Sequence, residues 1–260
     1  MSGGPQPLQH QQRLELAHQI AEQIRQYYGE RLLALGIFGS LARGLDGPYS
    51  DIEMFCVVQG EGVDEAFEWS NGPWKAEVDV YSQDTLLDYA AELDVGWSLT
   101  HSAGLHVLPV YDPQGFFPRL RQAILAHSDE EFRHAVAEMM VGEIYELVGK
   151  IRNAAWQRNH EALPFFAVEL ARDSACLVGL ANHHLYTSAA RMFAESLSLA
   201  QPPAGYQALC QMVMAGQLAD PQRILAAVDA LWAGMEAWAD SLGLPIETTL
   251  DALIRSRQES

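Results

Sequence analysis

Apolar positions change their period near residue 127. Before it, short apolar runs alternate with helical spacing. From Leu8 to Tyr28, the residues Leu14, Ala17, Ile20, Ile24 and Tyr27 recur every three or four positions, as in a helix with one buried face. Gly29 is placed to cap that helix, and residues 1–7 read as a loose polar lead. Leu32 to Phe38 and Ile52 to Val58 are compact apolar runs that read as buried strands. Between them, a Gly39-Ser40 turn opens a short helix, and Asp46-Gly47-Pro48 marks a loop. Gly60 to Asp64 reads as a connection and Ser70-Asn71-Gly72-Pro73 as a turn. Trp74 to Tyr81 then alternates, with Lys75, Glu77 and Asp79 on one face and Ala76, Val78 and Val80 on the other. A helix from Ser82 to Leu93, a strand from Leu105 to Tyr111 and a helix opened by Asp112-Pro113 complete this half.

Beyond residue 127 no convincing alternation remains. Ser128 with Glu131 forms a capping-box signal, and the helix it starts is expected to reach about Arg158. Further helices are expected near 162–184, 187–199, 205–215, 220–241 and 246–256. They are punctuated by Pro202-Pro203, Gly205, Gly216, Pro221, Gly243 and Pro245. The fold class expected is α+β, with a mixed β-sheet domain and flanking helices over 1–127 and an all-α helical-bundle domain over 128–260. There is no internal repeat.

Composition narrows the function. At 260 residues and 49% apolar, the chain can bury a sizeable core. Sixteen basic against 34 acidic residues leave a net charge of −18, the opposite of what a nucleic-acid backbone demands of a partner. That acidity serves solubility, and it also suits a small cationic ligand. No apolar run approaches the roughly 18 residues of a membrane span, and the first residues lack the basic-then-apolar order of a secretory signal. Cys56, Cys176 and Cys210 are odd in number and widely spaced, so neither a disulfide framework nor a zinc site is expected, and a reducing cytoplasm fits.

The chemistry concentrates in Gly36 to Val58. Gly39 removes a side chain where the backbone must approach something closely. Ser40 opens a helix whose free N–H groups favour an anion. Asp51 and Glu53, two residues apart at the start of an apolar strand, project their carboxylates from one face and repel each other unless a cation lies between them. A phosphate turn beside paired carboxylates is what a magnesium–nucleotide site needs, and an all-oxygen donor set favours magnesium over zinc. The competing reading is an edge strand with an acidic outer face. Glu77 and Asp79 repeat the spacing. If their strand neighbours the first, Glu77 is a third carboxylate at the metal or a contact to a cationic substrate; otherwise the face is simply polar. Lys75 can pair with those acids or touch a phosphate. Arg43, one helical turn after Ser40, can reach a phosphate or stand in solvent. Glu143, Glu146, Lys150 and Asn153 share one helical stripe, which faces either water, with Glu146 and Lys150 ion-paired, or a site. His101 and the pair His183-His184 read as structural.

A wider pattern then emerges. The GS turn followed by a D-x-[DE] strand resembles the minimal core of the DNA polymerase beta nucleotidyltransferase superfamily. The segments GSLARGLDGPYSDIEM, EWSNGPWKAEV, YSQDTLLDYA, LTHSAGLHVLPVYD, EIYELVGKIRN and GYQALCQMVMAGQL resemble the kanamycin nucleotidyltransferase family, the aminoglycoside 4′-O-nucleotidyltransferases, over about residues 13–240. The resemblance implies a nucleotidyltransferase domain followed by the helical domain. It implies transfer of a nucleoside monophosphate from Mg-ATP or another NTP to an aminoglycoside hydroxyl, with release of pyrophosphate. It aligns Ser40, Arg43 and Ser50 with triphosphate contacts and Asp51 and Glu53 with the metal carboxylates. It aligns Glu68, Glu77 and Glu143 with substrate-side acids, Glu146 with a general base and Lys150 with a lysine that reaches the α-phosphate. It also implies a bacterial cytoplasmic homodimer with shared active sites. Three departures stand out: Gly142-Glu143 where the family has two glutamates, Asp79 where it has asparagine, and an unmatched tail after about residue 243. Two other readings share the core motif: an acceptor that is a protein or another small molecule, and a non-catalytic nucleotide-sensing module.

Overall fold

The computed structural model describes residues 4–244, 246 and 249–259. Three residues of the polar lead, the Pro245 punctuation and part of the segment before the last helix lie outside the described residues. The chain folds into two compact units: residues 1–92 with 101–127, and residues 93–100 with 128–260.

The first unit carries a five-stranded mixed sheet in the order β3-β4-β2-β1-β5. Its strands are β1 (Leu32–Ile37), β2 (Ile52–Val58), β3 (Asp64–Asn71), β4 (Trp74–Ser82) and β5 (Leu108–Tyr111). Only β2 and β4 pair in parallel; every other neighbouring pair is antiparallel. Strand β4 alternates as its sequence demands, burying Ala76, Val78, Val80 and Ser82 and turning the intervening residues outward. Strand β2 is buried on both faces except at Glu53. Helix α1 (His10–Tyr28) lies on one face of the sheet, packing Ala17, Ile20 and Ile24 against Leu35, Ile37, Met54, Cys56, Val78 and Val80. Its buried stripe is rotated slightly from the expected one: Arg13 and Tyr28 are buried, whereas Tyr27 is exposed. The helix Gly39–Ala42 (α2) follows β1. After β4 come α3 (Gln83–Ala90, capped by Ser82), α5 (Ser102–Leu105) and α6 (Phe116–Ile124). The Asp112 carboxylate caps α6, accepting from the N–H groups of Phe116 and Phe117.

Strand β3 lies where the sequence leads one to expect only a connection ending at Asp64 and a turn starting at Ser70, with no element over residues 65–69. Its residues are almost all exposed, so the run DEAFEWSN carries no apolar alternation. Backbone pairing to β4, with the cross-strand Glu68–Lys75 ion pair, makes it an edge strand, joined to β4 by a two-residue Gly72-Pro73 turn with Gly72 at φ +65°.

The second unit is helical and centred on α9 (Leu163–Ala181), whose buried residues include Leu170, Ala171, Ala175, Leu177 and Val178. Around it pack α7 (Asp129–Met139), α8 (Glu146–Trp156), α10 (Met192–Ser196), α11 (Tyr206–Met214) and α12 (Pro221–Leu242); α13 (Leu250–Glu259) follows. Helix α4 (Trp97–Thr100) belongs here because Trp97 is buried edge-on against Phe132, their ring centres 4.9 Å apart. Ser98 ties it to α9, donating to the Cys176 carbonyl at 3.1 Å. The helix expected from Ser128 to Arg158 is interrupted. The capping box forms, but Met140–Tyr145 is a π-helical segment containing Gly142. Such a segment carries wider i→i+5 bonding and shifts the side chains after it relative to those before. The three cysteines are free and buried, and burial pushes the Cys56 thiol up to about 12. Among the described residues, no helix is long and apolar enough to cross a membrane.

Candidate functional site

Two groups of sequence-predicted residues form, one in each unit. In the first unit the strand register does the assembling. Glu53 on β2 pairs with Glu77 on β4, and Glu77 pairs with Glu68 on β3. Cross-strand partners share a face, so these three carboxylates stand in one row across three strands. Asp79 lies two residues along on the same face of β4, and Asp51 immediately precedes β2. Four of these acids are local sequence neighbours in pairs; only the tertiary pairing makes them one surface.

Lys75 is the cation set among them. Its Nζ lies 2.8 Å from Glu68, 3.4 Å from Glu77 and 3.7 Å from Asp51. The hydrogen bond to Glu68, with that to Glu77, holds its pKa above the ordinary lysine value. One cation does not balance the row. Burial, then the neighbouring Asp51 and Glu77 charges, raises Glu53 to about 7. Burial and Glu77 raise Asp79 to about 6.

Those two groups have a consequence for stability. Their carboxyls hold protons in the folded chain at pH values where the unfolded chain, at 3.8 for Asp and 4.5 for Glu, has released them. The folded state therefore binds more protons across this window, and stability falls as pH rises from about 4 to 7. Water reaches both groups, so the effect is on the order of 1–2 kcal/mol. Thermal melts in metal-free buffer are expected to drop by a few degrees between pH 5 and 8. The Glu53→Gln variant is expected to flatten that slope; a slope unchanged by the substitution would place its origin elsewhere.

Gly39 stands behind Glu53. It has φ +71°, and a Cβ built there would collide with the Glu53 carboxylate. The glycine therefore serves both the left-handed turn and the close approach. Ser40 and Arg43 follow on this turn, with Arg43 forming the C-terminal cap rather than the body of the helix. The Arg43 Nε donates to the Gly39 carbonyl at 3.1 Å, tying the guanidinium to the turn. Ser50 ends the next loop, where its hydroxyl oxygen accepts from the Gly47 N–H at 3.0 Å. A cavity of about 200 Å³ opens beside this loop, lined by Ser50, Asp51, Lys75, Tyr49, Trp74 and Arg13 among others.

The donor set suits a hard divalent cation, being all oxygen and carboxylate. Among the described residues no three His, Cys, Asp or Glu side chains converge as a ready-made metal cage.

The second group lies on the surface of the helical unit. Glu143 stands in the π-helical segment, and Glu146 opens α8. Lys150 Nζ meets Glu146 at 2.7 Å, an i,i+4 ion pair with both side chains about half exposed. Glu143, Glu146, Lys150 and Asn153 all face solvent, whereas Ile144, Leu147, Val148 and Ile151 are buried. Val141 is half exposed, and Tyr145 beside Glu146 is exposed too. Asp173 on α9 is half-buried and feels Glu143 and Glu169; burial, ahead of these charges, raises its pKa.

The three histidines noted in the sequence all have partners, His184 Nε2 lying 3.3 Å from the Glu195 carboxylate. His101 is buried, stacks on Tyr89 and bonds its carbonyl at 2.8 Å. His183 stacks on Phe132 with ring centres 3.8 Å apart.

Sequence reasoning missed Arg13 and Asp46, which hold the loop before Asp51. The signal was present: Arg13 precedes Ala17 by four residues and so falls on the buried stripe of α1, where an arginine needs a partner.

Comparison with known proteins gives a consistent set of relatives. The sequence profile of the KNTase C-terminal domain family matches residues 114–245. An aminoglycoside nucleotidyltransferase (4') from Bacillus sp is 36% identical over 246 residues, covering 95% of this chain and 97% of that protein. One from Staphylococcus aureus matches with the same identity and coverage. Among solved structures, a nucleotidyltransferase-like protein from Exiguobacterium sibiricum superposes with a TM-score of 0.55 at 9% identity, over 84% of this chain and 74% of that one. At so low an identity, that likeness speaks for the fold.

Proposed function

The chain belongs to the aminoglycoside nucleotidyltransferase family, and from that premise we propose that it moves a nucleoside monophosphate from Mg-ATP or another NTP to an aminoglycoside 4′-hydroxyl. The observation that carries this reading is the row Glu53, Glu77 and Glu68 beside Asp51, backed by the Gly39 turn. Such a surface offers carboxylates for a cation at one end and for substrate ammonium groups at the other.

Asp51 and Glu53 would hold the magnesium ion, which when bound screens the triphosphate and draws electron density from the α-phosphorus. Gly39, Ser40, Arg43 and Ser50 line the turn and loop beside it and are assigned to the triphosphate. Glu68, Glu77 and Glu143 receive the ammonium groups of the aminoglycoside. Lys75 is bonded to two of those acids, so its reach to a phosphate requires a substrate ammonium to take its place there. The sugar hydroxyl oxygen attacks the α-phosphorus while the bond to the pyrophosphate oxygen breaks. Glu146 accepts the hydroxyl proton. Lys150, its partner one helical turn away, stabilises the charge that builds on the α-phosphate oxygens. The functional assembly is a homodimer in the bacterial cytoplasm, with Glu143, Glu146 and Lys150 supplied across the subunit boundary. The physiological outcome is resistance to drugs such as kanamycin, tobramycin or amikacin.

Mass spectrometry of kanamycin after incubation with the protein, ATP and Mg²⁺ tests the proposal directly. A drug heavier by one adenylyl group (AMP less water), with one pyrophosphate released per transfer, is the expected result. Unmodified drug alongside a nucleotidylated protein acceptor would replace the proposal with a different acceptor class.

A further inference from the structure

The loop that delivers Ser50 and Asp51 has no secondary structure of its own from Asp46 onward, yet it is tied down at nearly every residue. The tie is Arg13, an almost fully buried arginine on α1. Its Nε donates to the Asp46 carboxylate at 2.9 Å. Its two terminal nitrogens donate to backbone carbonyls, to Gly47 at 2.6 Å and to Pro48 at 3.1 Å. The Asp46 carboxylate is itself buried, and its other oxygen takes His10 Nδ1 at 2.6 Å. Burial alone would raise the Asp46 pKa; the bonds from His10 and Arg13 outweigh it and hold the group below its ordinary value. The chain ahead of α1 adds a further bond, the Leu8 N–H donating to the Pro48 carbonyl at 2.9 Å.

A buried ion pair is an inefficient way to gain stability, because well-packed apolar residues serve as well or better. What a guanidinium fork supplies is direction: five donors in a fixed plane. Here the fork is spent on one carboxylate and two successive backbone carbonyls, which dictates the path of the chain into Ser50 and Asp51. We infer that Arg13, acting through Asp46, is a positioning residue that sets where the Ser50–Asp51 segment presents its oxygens to the cation and triphosphate. The inference rests on the proposed assignment of those two residues.

The test uses Arg13→Lys, which keeps the charge and loses the fork, and His10→Ala, which removes a half-exposed ring from one side of Asp46. Mn²⁺ binding to the nucleotide-free protein is followed by electron paramagnetic resonance, and hydrogen exchange is followed across the loop 46–51 and the sheet. Arg13→Lys is expected to weaken Mn²⁺ binding by about 10–100-fold, the scale on which groups supporting a metal ligand act. Exchange is expected to speed up in the loop and not in β2 or β4. His10→Ala should move both readouts in the same direction by less, and it decides the matter if Arg13→Lys does not fold. Unchanged Mn²⁺ affinity in a folded variant, or exchange that rises equally throughout the sheet, would overturn the positioning role and leave the proposed function standing. Wild-type protein that neither binds Mn²⁺ nor modifies the drug would overturn the proposed function, and this inference with it.

Discussion

Asp51→Asn is expected to abolish metal-dependent transfer, lowering the rate by about 10³-fold, equivalent to about 4 kcal/mol of lost transition-state stabilisation. The amide is nearly isosteric with the carboxylate, so the loop from Asp46 and the strand after it keep their backbone bonds. What changes is one negative charge at the mouth of an acidic row that already strains to hold its charge, as the raised pKa values of Glu53 and Asp79 show. Removing a charge there relieves repulsion, so the variant is expected to melt no lower than the wild type in metal-free buffer, which distinguishes it from a folding defect. The decisive measurement is the transfer rate against Mg²⁺ concentration, alongside the thermal melt. A stable variant that transfers at the wild-type rate would show that the cation is held elsewhere.

Glu146→Gln is expected to lower kcat by about 10²–10⁴-fold, the usual span for loss of a general base, while nucleotide binding persists. A change confined to kcat marks an interaction made in the transition state, whereas a rise in KM alone would mark uniform binding. The residue opens α8 on the solvent face, and its ion-pair partner Lys150 is about half exposed, so the fold does not depend on it. Full activity in this variant would remove the base from Glu146. The proposed shared site adds a second readout. Mixing and re-forming dimers from the Asp51→Asn and Glu146→Gln chains should restore about a quarter of the wild-type sites, because half the dimers are mixed and each has one intact site. If each chain builds its whole site alone, the mixture stays inactive.

The local grammar of this chain was readable because it is local. Gly39 must tolerate φ +71° and the Glu53 carboxylate at its back, and glycine is what the sequence supplies there. The β4 alternation specified which of its side chains turn outward, since a strand has a period of two. The Ser128–Glu131 capping box formed as its spacing demanded. The same strengths explain the errors. β3 escaped notice because an exposed edge strand needs no apolar face, only a neighbour's free backbone groups. The long helix was read as continuous because a π-helical segment leaves the apolar spacing on either side of it nearly intact.

The acidic row was legible in the sequence only as separate pieces. Spacing pairs Asp51 with Glu53 and Glu77 with Asp79, but Glu53, Glu77 and Glu68 become one row only when β2 pairs in parallel with β4 and β4 takes β3 on its other edge. The partners of Arg13 lie more than 30 residues away, and only the closure of the loop onto α1 brings Asp46, Gly47 and Pro48 to its fork. By itself the sequence determined the types of chemistry present and the elements that carry them, because propensity, capping and periodicity act over a few residues. The tertiary structure alone decided which carboxylates share a surface and which arginine steers the loop into Asp51. Those choices depend on strand order and long-range packing, whose free energy belongs to pairs of segments rather than to either one.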